Sequence, residues 1–292
     1  MKNKVINNNL NTISDCIVNF LRNEARYKAH APAELGINAD PSNVIYLMED
    51  SLPDGIKFNI KDDCINNEIY IGSRNRMKGV NVTITGSGCA LFIGDRCNLT
   101  TLNIGIVEDS DAVCIGHAVS VASKNMWTTG THSGADGKAI IVGDDCMFSS
   151  DIAIRGSDGH PVLLIDDLSQ TNIPRLPVII EPHCWIGQGA FIQKCVTVGA
   201  CSIIAAKSIV TKSAPRFSLL AGSPAQRKSL EGKVWARHLG ENAVKKAALW
   251  AEKYHIPAPQ LTRRQKFMSR ILPLKQQASS KCQSLFGIKE KA

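Results

Sequence analysis

From Ile180 onward an aliphatic residue opens every sixth position: "IEPHCW", "IGQGAF", "IQKCVT", "VGACSI" and "IAAKSI" follow one another, and Val210 opens the next unit. The fifth place of each unit is small or β-branched, at Cys184, Ala190, Val196, Ser202 and Ser208. The same phase returns upstream from Ile93 ("IGDRCN", "LT"), from Ile115 ("IGHAVS", "VA") and from Val142 ("VGDDCM", "FSSDIA", "IR"). Val80, Val82 and Ile84 alternate as a half-buried strand would. A period of six suits neither a helix nor a long strand. It suits short extended segments joined by turns, each sending one aliphatic residue inward. Three such sides close a coil of about 18 residues, and stacked coils pair as parallel strands about 4.8 Å apart. The pattern therefore predicts a mainly β chain, a parallel β-helix with a core column of Ile and Val, from about Ile56 to Thr211.

The flanks differ in kind. Ile13, Cys16, Ile17, Phe20 and Leu21 keep helical spacing, which predicts an N-terminal helical and irregular cap over 1–55. The β-helix domain is expected over 56–225 and a helical extension over 226–262. In that extension "ENAVKKAALWAEKY" would dock through Ala243, Ala247, Leu249 and Trp250. Residues 263–292 form a basic tail with eight Lys or Arg and one acid, Glu290.

The rhythm fails between Arg155 and Val178, where the in-phase positions fall on His160, Asp166 and Asn172. The chain must leave the coil there and return near Val178 or Ile180. A loop of about twenty residues in a compact domain is usually functional or disordered. It contains "SDGHP", and an imidazole with a pKa near 6.5 can take a proton at cellular pH. A second excursion, "MWTTGTHSGADGK" from Met126 to Lys138, is expected to form an acceptor-binding lip with Trp127 and His132.

The run "IIEPHCWIGQGAFIQKCVTVGACSIIAAKSIVTKSAPRFSLLAGSPAQRK" resembles the closing coils of the hexapeptide-repeat acyltransferases. That resemblance implies a left-handed β-helix, a homotrimer and acetyl-coenzyme A as acyl donor. It implies His160 as the catalytic base, with Asp158 either orienting the imidazole or acting as a turn residue. Trp185 would stack on the sugar or wall the thioester, unless it fills a subunit interface; His183 is a weaker candidate. The donor would lie against Gly187, Gly189, Ala205 and Ala206, with Lys212 and Arg227 meeting the nucleotide phosphates and Arg216 and Lys228 as substitutes. "IIAAKSIV" and "IGQGA" depart from the commonest family text, with Ala205, Ala206 and Gln188 where glycine is frequent. The shorter run "SSDIAIRGSDGH" resembles the O-acetyltransferases of bacterial capsule, sialic-acid polymer or O-antigen sugars.

Composition narrows the setting. With 34 Lys and Arg against 26 Asp and Glu, the net charge of +8 suits an anionic polysaccharide. In the tail, an amphipathic reading of "RRQKFMSRILPL" allows peripheral membrane association, and a disordered tail is the alternative. No apolar run reaches the roughly 18 residues of a spanning helix, and Met1–Leu10 lacks a signal-peptide core, so the expected location is cytoplasmic. Ten cysteines without a CxxC pair read as reduced, with Cys97, Cys146 and Cys184 as small core residues. No metal is expected: His117, His132, His160 and His183 lack the close paired spacing of the carbonic anhydrase-like branch of this fold. Nucleic-acid binding has only the charge in its favour. A non-catalytic β-helix scaffold and an acetyltransferase acting on a small sugar or amine remain as alternatives.

Overall fold

A computed structural model describes residues 1–20 and 24–255. The chain divides into two units, Met1–Tyr254 and His255–Ala292. Apart from His255, the second unit lies outside the described residues, and with it the basic tail and its membrane reading; Leu21 does too.

Three parallel sheets form the three sides of a β-helix. The first side stacks Val44–Leu47, Glu68–Ile71, Ala90–Ile93, Ala112–Ile115, Ala139–Val142, Val178–Ile180 and Thr197–Val198. The second stacks Arg76–Lys78, Asn98–Thr100, Ser120–Val121, Met147–Phe148, Trp185–Ile186, Ile203–Ile204 and Ser218–Gly222. The third stacks Ile56–Ile60, Val80–Ile84, Leu102–Ile106, Asn125–Thr128, Ala153–Arg155, Phe191–Ile192 and Ile209–Val210. Two antiparallel strands close the ends, Lys28–His30 on Val44–Leu47 and Ala225–Ser229 on Ser218–Gly222. The ladder thus starts at Val44, upstream of the expected Ile56, because "VIYL" pairs in register with "EIYI" although it belongs to no audible repeat.

Inward residues meet like residues one coil on. Ile71, Ile93, Ile115, Val142, Ile180 and Val198 form one column, and all are buried. Burying each such side chain stabilises by about 1.5–3 kcal/mol relative to exposure. Cys97, Cys146 and Cys184 sit in the core as expected, each thiol within reach of a carbonyl of the following coil. The nine described cysteines are all free thiols.

The coil is not uniform. From the first side to the second, the step is six residues throughout, as at Ile71 to Met77, Val142 to Phe148 and Ile180 to Ile186. From the third side back to the first, it is eleven at Val82 to Ile93 and Ile104 to Ile115, fifteen at Trp127 to Val142, twenty-six at Ile154 to Ile180, and six at Ile192 to Val198. Only the last coils obey the eighteen-residue rule. All the surplus chain leaves at one corner, where it can grow without disturbing the column, and both excursions leave from there.

The outward faces are used differently. The N-terminal helices Lys4–Asn8 and Leu10–Cys16 cover the first side, packing Val5, Ile6, Ile13, Cys16 and Ile17 on Tyr70, Phe92 and Ile141. The C-terminal helix Glu241–Tyr254 docks through Ala243, Ala247, Trp250 and Tyr254; Leu249, expected on that face, is 65% exposed. Its neighbour Trp250 occupies the inward position, and one residue is 100° away on a helix.

Candidate active site

The two excursions, Thr129–Lys138 and Gly156–Pro177, lie on consecutive coils and therefore stack. Their first turns interlock: Ser157 Oγ donates to the Thr131 carbonyl at 3.2 Å and Thr131 Oγ1 to the Gly159 carbonyl at 3.3 Å. Gly156 lies so close to Thr129 that a Cβ would stand 2.7 Å from its carbonyl oxygen. This contact brings the imidazoles of His132 and His160 face to face, with centroids 6.1 Å apart and planes 10° from parallel. Both residues are exposed, and among the described residues no hydrogen bond engages the nitrogens of either ring.

The backbone beneath His160 is stapled. Asn172 Nδ2 donates to the His160 carbonyl and to Asp158 Oδ2, both at 2.9 Å, while Asn172 Oδ1 accepts from Val162 N at 2.8 Å and Gln170 Nε2 at 3.1 Å. Gln170 Nε2 also reaches the Ser133 carbonyl at 3.1 Å, tying one excursion to the other. Lys194, from the next coil, forms an ion pair with Asp158 and donates to the Asn172 carbonyl at 2.6 Å. Burial pushes the Asp158 carboxyl up, but the bonds from Lys194 and Asn172 prevail and hold it below the usual range. Asp158 is therefore engaged with Lys194 and Asn172, not with the His160 ring. Asn172, Gln170 and Lys194 had no signal in the sequence beyond the broken phase at Asn172.

The first excursion has its own buried anchor. Lys138 Nζ lies 2.5 Å from Glu108 Oε2 and 3.1 Å from both Asp111 Oδ1 and Ser133 Oγ. Trp127, expected on the lip, is fully buried: it is the third-side rung between Ile104 and Ile154 and packs on Phe148 at 4.7 Å. Strand alternation turns Met126 outward and Trp127 inward, so the excursion begins only after Thr128.

Trp185 lies outward on the second side, 37% exposed. That side faces away from the corner that carries His160, so one chain does not bring the two together. The second and third sides each carry an outward column that changes character halfway along, and Trp185 lies within the first of these. On the second side the column runs Arg76, Asn98, Ser120, then Met147, Trp185, Ile203, Leu219. On the third it runs Lys57, Asn81, Asn103, then Met126, Ala153, Phe191, Ile209.

His183 is not a surface candidate. It is 2% exposed, with Nδ1 2.9 Å from Asp145 Oδ2 and Nε2 2.9 Å from the Trp235 carbonyl, and its ring stacks on Trp235 at 4.3 Å. Asp145 also accepts from Lys246 at 2.7 Å, Trp250 Nε1 at 2.9 Å and Arg237 Nη2 at 3.1 Å. Burial would raise this carboxyl, yet the bonds from His183 and Lys246 and the charges of Lys246 and Arg237 hold it at about 2. The cluster fastens the C-terminal segment to the corner beside Trp185.

The small residues expected at the donor lie on the last coils at the corner between the second and third sides, whereas Lys212 follows Val210 on the corner that carries the excursions and Arg227 lies on the end strand Ala225–Ser229. Gly187 and Gly189 sit one coil below Ala205, Ala206 and Lys207, and a Cβ on Gly187 would stand 2.6 Å from Ala206 N. That glycine is thus required by coil stacking itself. Ala206, Lys212 and Arg227 are exposed; Arg227 Nε donates to Ser218 Oγ at 2.9 Å, and Lys207 lies over Gly189. This small-residue step, with Lys207 beside it, leaves room for the arm of a thioester, and Lys212 and Arg227 are exposed cations elsewhere on the last coils. Arg216 does not stand in reserve: it pairs with Glu181 at 2.7 Å and lies under the Tyr254 ring at 4.5 Å. Lys228 is exposed.

No family model matches the chain. It is 28% identical over 165 residues to the polysialic acid O-acetyltransferase of Neisseria meningitidis, covering 56% of this chain and 70% of that protein. It is 28% identical over 124 residues to the polysialic acid O-acetyltransferase of Escherichia coli O1:K1, covering 42% of this chain and 39% of that one. The crystal structure of the polysialic acid O-acetyltransferase OatWY superposes with a TM-score of 0.55 at 21% identity, over 75% of this chain and 98% of that one. The fold is the left-handed β-helix that the resemblance implied, and in sequence the chain is similar to polysialic acid O-acetyltransferases.

Proposed function

We propose that the protein transfers an acetyl group from acetyl-coenzyme A to a sugar hydroxyl of an acidic bacterial surface polysaccharide, with His160 as general base. The observation that carries this reading is the state of His160: its carbonyl is held by Asn172, itself tied to Asp158, Val162, Gln170 and Lys194, while its ring nitrogens stay free. The acceptor hydroxyl gives its proton to the imidazole as its oxygen attacks the thioester carbonyl. The carbon–sulfur bond then breaks, and the imidazolium returns the proton to the departing thiolate. His132, stacked beside His160, borders the acceptor side. Gly187, Gly189, Ala205 and Ala206 provide the low step for the pantetheine arm, and Lys212 and Arg227 meet its phosphates.

The active assembly is a homotrimer. The apolar halves of the second-side and third-side columns are different patches at the same level of the prism, as a heterologous ring interface needs. Packing the third side of one copy on the second side of the next carries His160 of the first towards Trp185 of the second. Release of coenzyme A from acetyl-coenzyme A, measured against acidic and neutral polysaccharides, tests the reaction. His160→Ala should lower acceptor-dependent release about 10²- to 10⁴-fold. Full activity in that variant would remove His160 from the mechanism.

A further inference from the structure

A cavity of about 520 Å³ opens between the N-terminal helix Lys4–Asn8 and the two excursions. Gly134–Lys138 forms one wall and Ile173–Pro177 another, and Asn8 and Asn9 close the third. Its position relative to His160 is fixed by short links. Gly134 follows His132 by two residues and abuts Gln170, whose amide also binds Asn172, the residue that holds the His160 carbonyl. The cavity thus lies against the two loops that carry His132 and His160.

Its charges are not equivalent. Asp136 is paired with Lys4, and Lys138 is buried against Glu108 and Asp111. Arg175 is exposed and, among the described residues, takes part in no hydrogen bond or ion pair. It is set between Pro174 and Pro177, whose fixed φ angles limit the backbone freedom of the turn that presents it. Beside it, Ile173, Leu176 and Val5 offer apolar surface and Asn8 offers an amide, while Asn9 Nδ2 donates to the Val5 carbonyl at 2.8 Å and leaves its Oδ1 as an acceptor. A free guanidinium beside an apolar wall and the Asn8 amide matches a sugar ring that bears a carboxylate.

We infer that this cavity is an acceptor subsite, and that Arg175 recognises the carboxylate of a sugar unit neighbouring the one acetylated at His160. The inference rests on the proposed acetyltransfer. Tetrasialic acid is the probe, with affinity read by titration calorimetry on the full chain and acetylation by coenzyme A release. Arg175→Gln should weaken tetrasialic acid binding about 10- to 100-fold while leaving the Michaelis constant for acetyl-coenzyme A unchanged. Arg175→Lys, which keeps the charge but loses the planar fork, should fall between. Ala135→Phe, which fills the cavity without touching the charge, should weaken binding as well, and unchanged melting of each variant excludes a folding defect. Wild-type protein that binds and acetylates the probe, with Arg175→Gln indistinguishable from it, overturns the subsite alone. Wild-type protein that neither binds nor acetylates any acidic glycan overturns the acidic-acceptor reading and this inference with it.

Discussion

Asn172→Ala isolates positioning from chemistry. The asparagine never reaches the reacting atoms, yet it makes four hydrogen bonds in the His160 loop: to the His160 carbonyl, Asp158, Val162 N and Gln170. Each is worth about 0.5–1.5 kcal/mol net, and the bond to the Asp158 carboxylate lies at the upper end. Their loss would release about 2–6 kcal/mol of local restraint, but because the loop is largely solvent-exposed the freed groups find water. The loop should loosen without the prism unfolding. If half or more of that restraint is needed to hold the imidazole against the hydroxyl, kcat falls about 10- to 100-fold, at 1.36 kcal/mol for each factor of ten. Steady-state coenzyme A release, with circular dichroism melting as control, measures both. The Michaelis constant for acetyl-coenzyme A should not change, since the donor step lies at another corner. Wild-type kcat in Asn172→Ala would show that the staple is incidental; a fall in donor affinity alone would place the donor in this loop.

Three further outcomes follow from the same geometry. Asp145 is held at about 2, so its stabilising contribution is complete above the unfolded carboxylate value of roughly 4 and is lost as pH falls from there through about 2. Tryptophan fluorescence of Trp235 and Trp250 should report release of the C-terminal helix in that window, and Asp145→Ala should show it already at pH 7, at a cost of about 1–3 kcal/mol for leaving the buried His183 ring and the Trp250 indole N–H without their acceptor. Phe191→Glu, in the outward third-side column, should lower the assembly state seen by analytical ultracentrifugation and abolish transfer; an active monomer would refute the shared site. The double substitution Lys212→Glu and Arg227→Glu should raise the Michaelis constant for acetyl-coenzyme A more than tenfold without altering the acceptor constant, because it replaces attraction to the phosphates by repulsion.

The core was legible because periodicity and contact coincide in this fold. Ile180, Ile186, Ile192 and Val198 could be assigned to inward positions from spacing alone, and so could the earlier aliphatics at Ile93, Ile115 and Val142. His160 stood out because it occupies a place that the column cannot use. Trp127 was misread because one residue of register decides between core and lip, and the excursion was started three residues too soon. Leu249 was misread for a similar reason of helical phase.

What the sequence by itself determined is the repeating part: the β-helix, the rungs that build it, and the segment that departs from it. Each rung is specified by residues within one six-residue unit, so local pattern is enough. What only the tertiary structure decided depends on partners far along the chain. Lys194 meets Asp158 from the next coil, Gln170 ties one excursion to the other, and Trp235 buries His183. These side chains carry no periodic signal, because their contacts form only after the coils have stacked and set the corner at which the surplus chain is held.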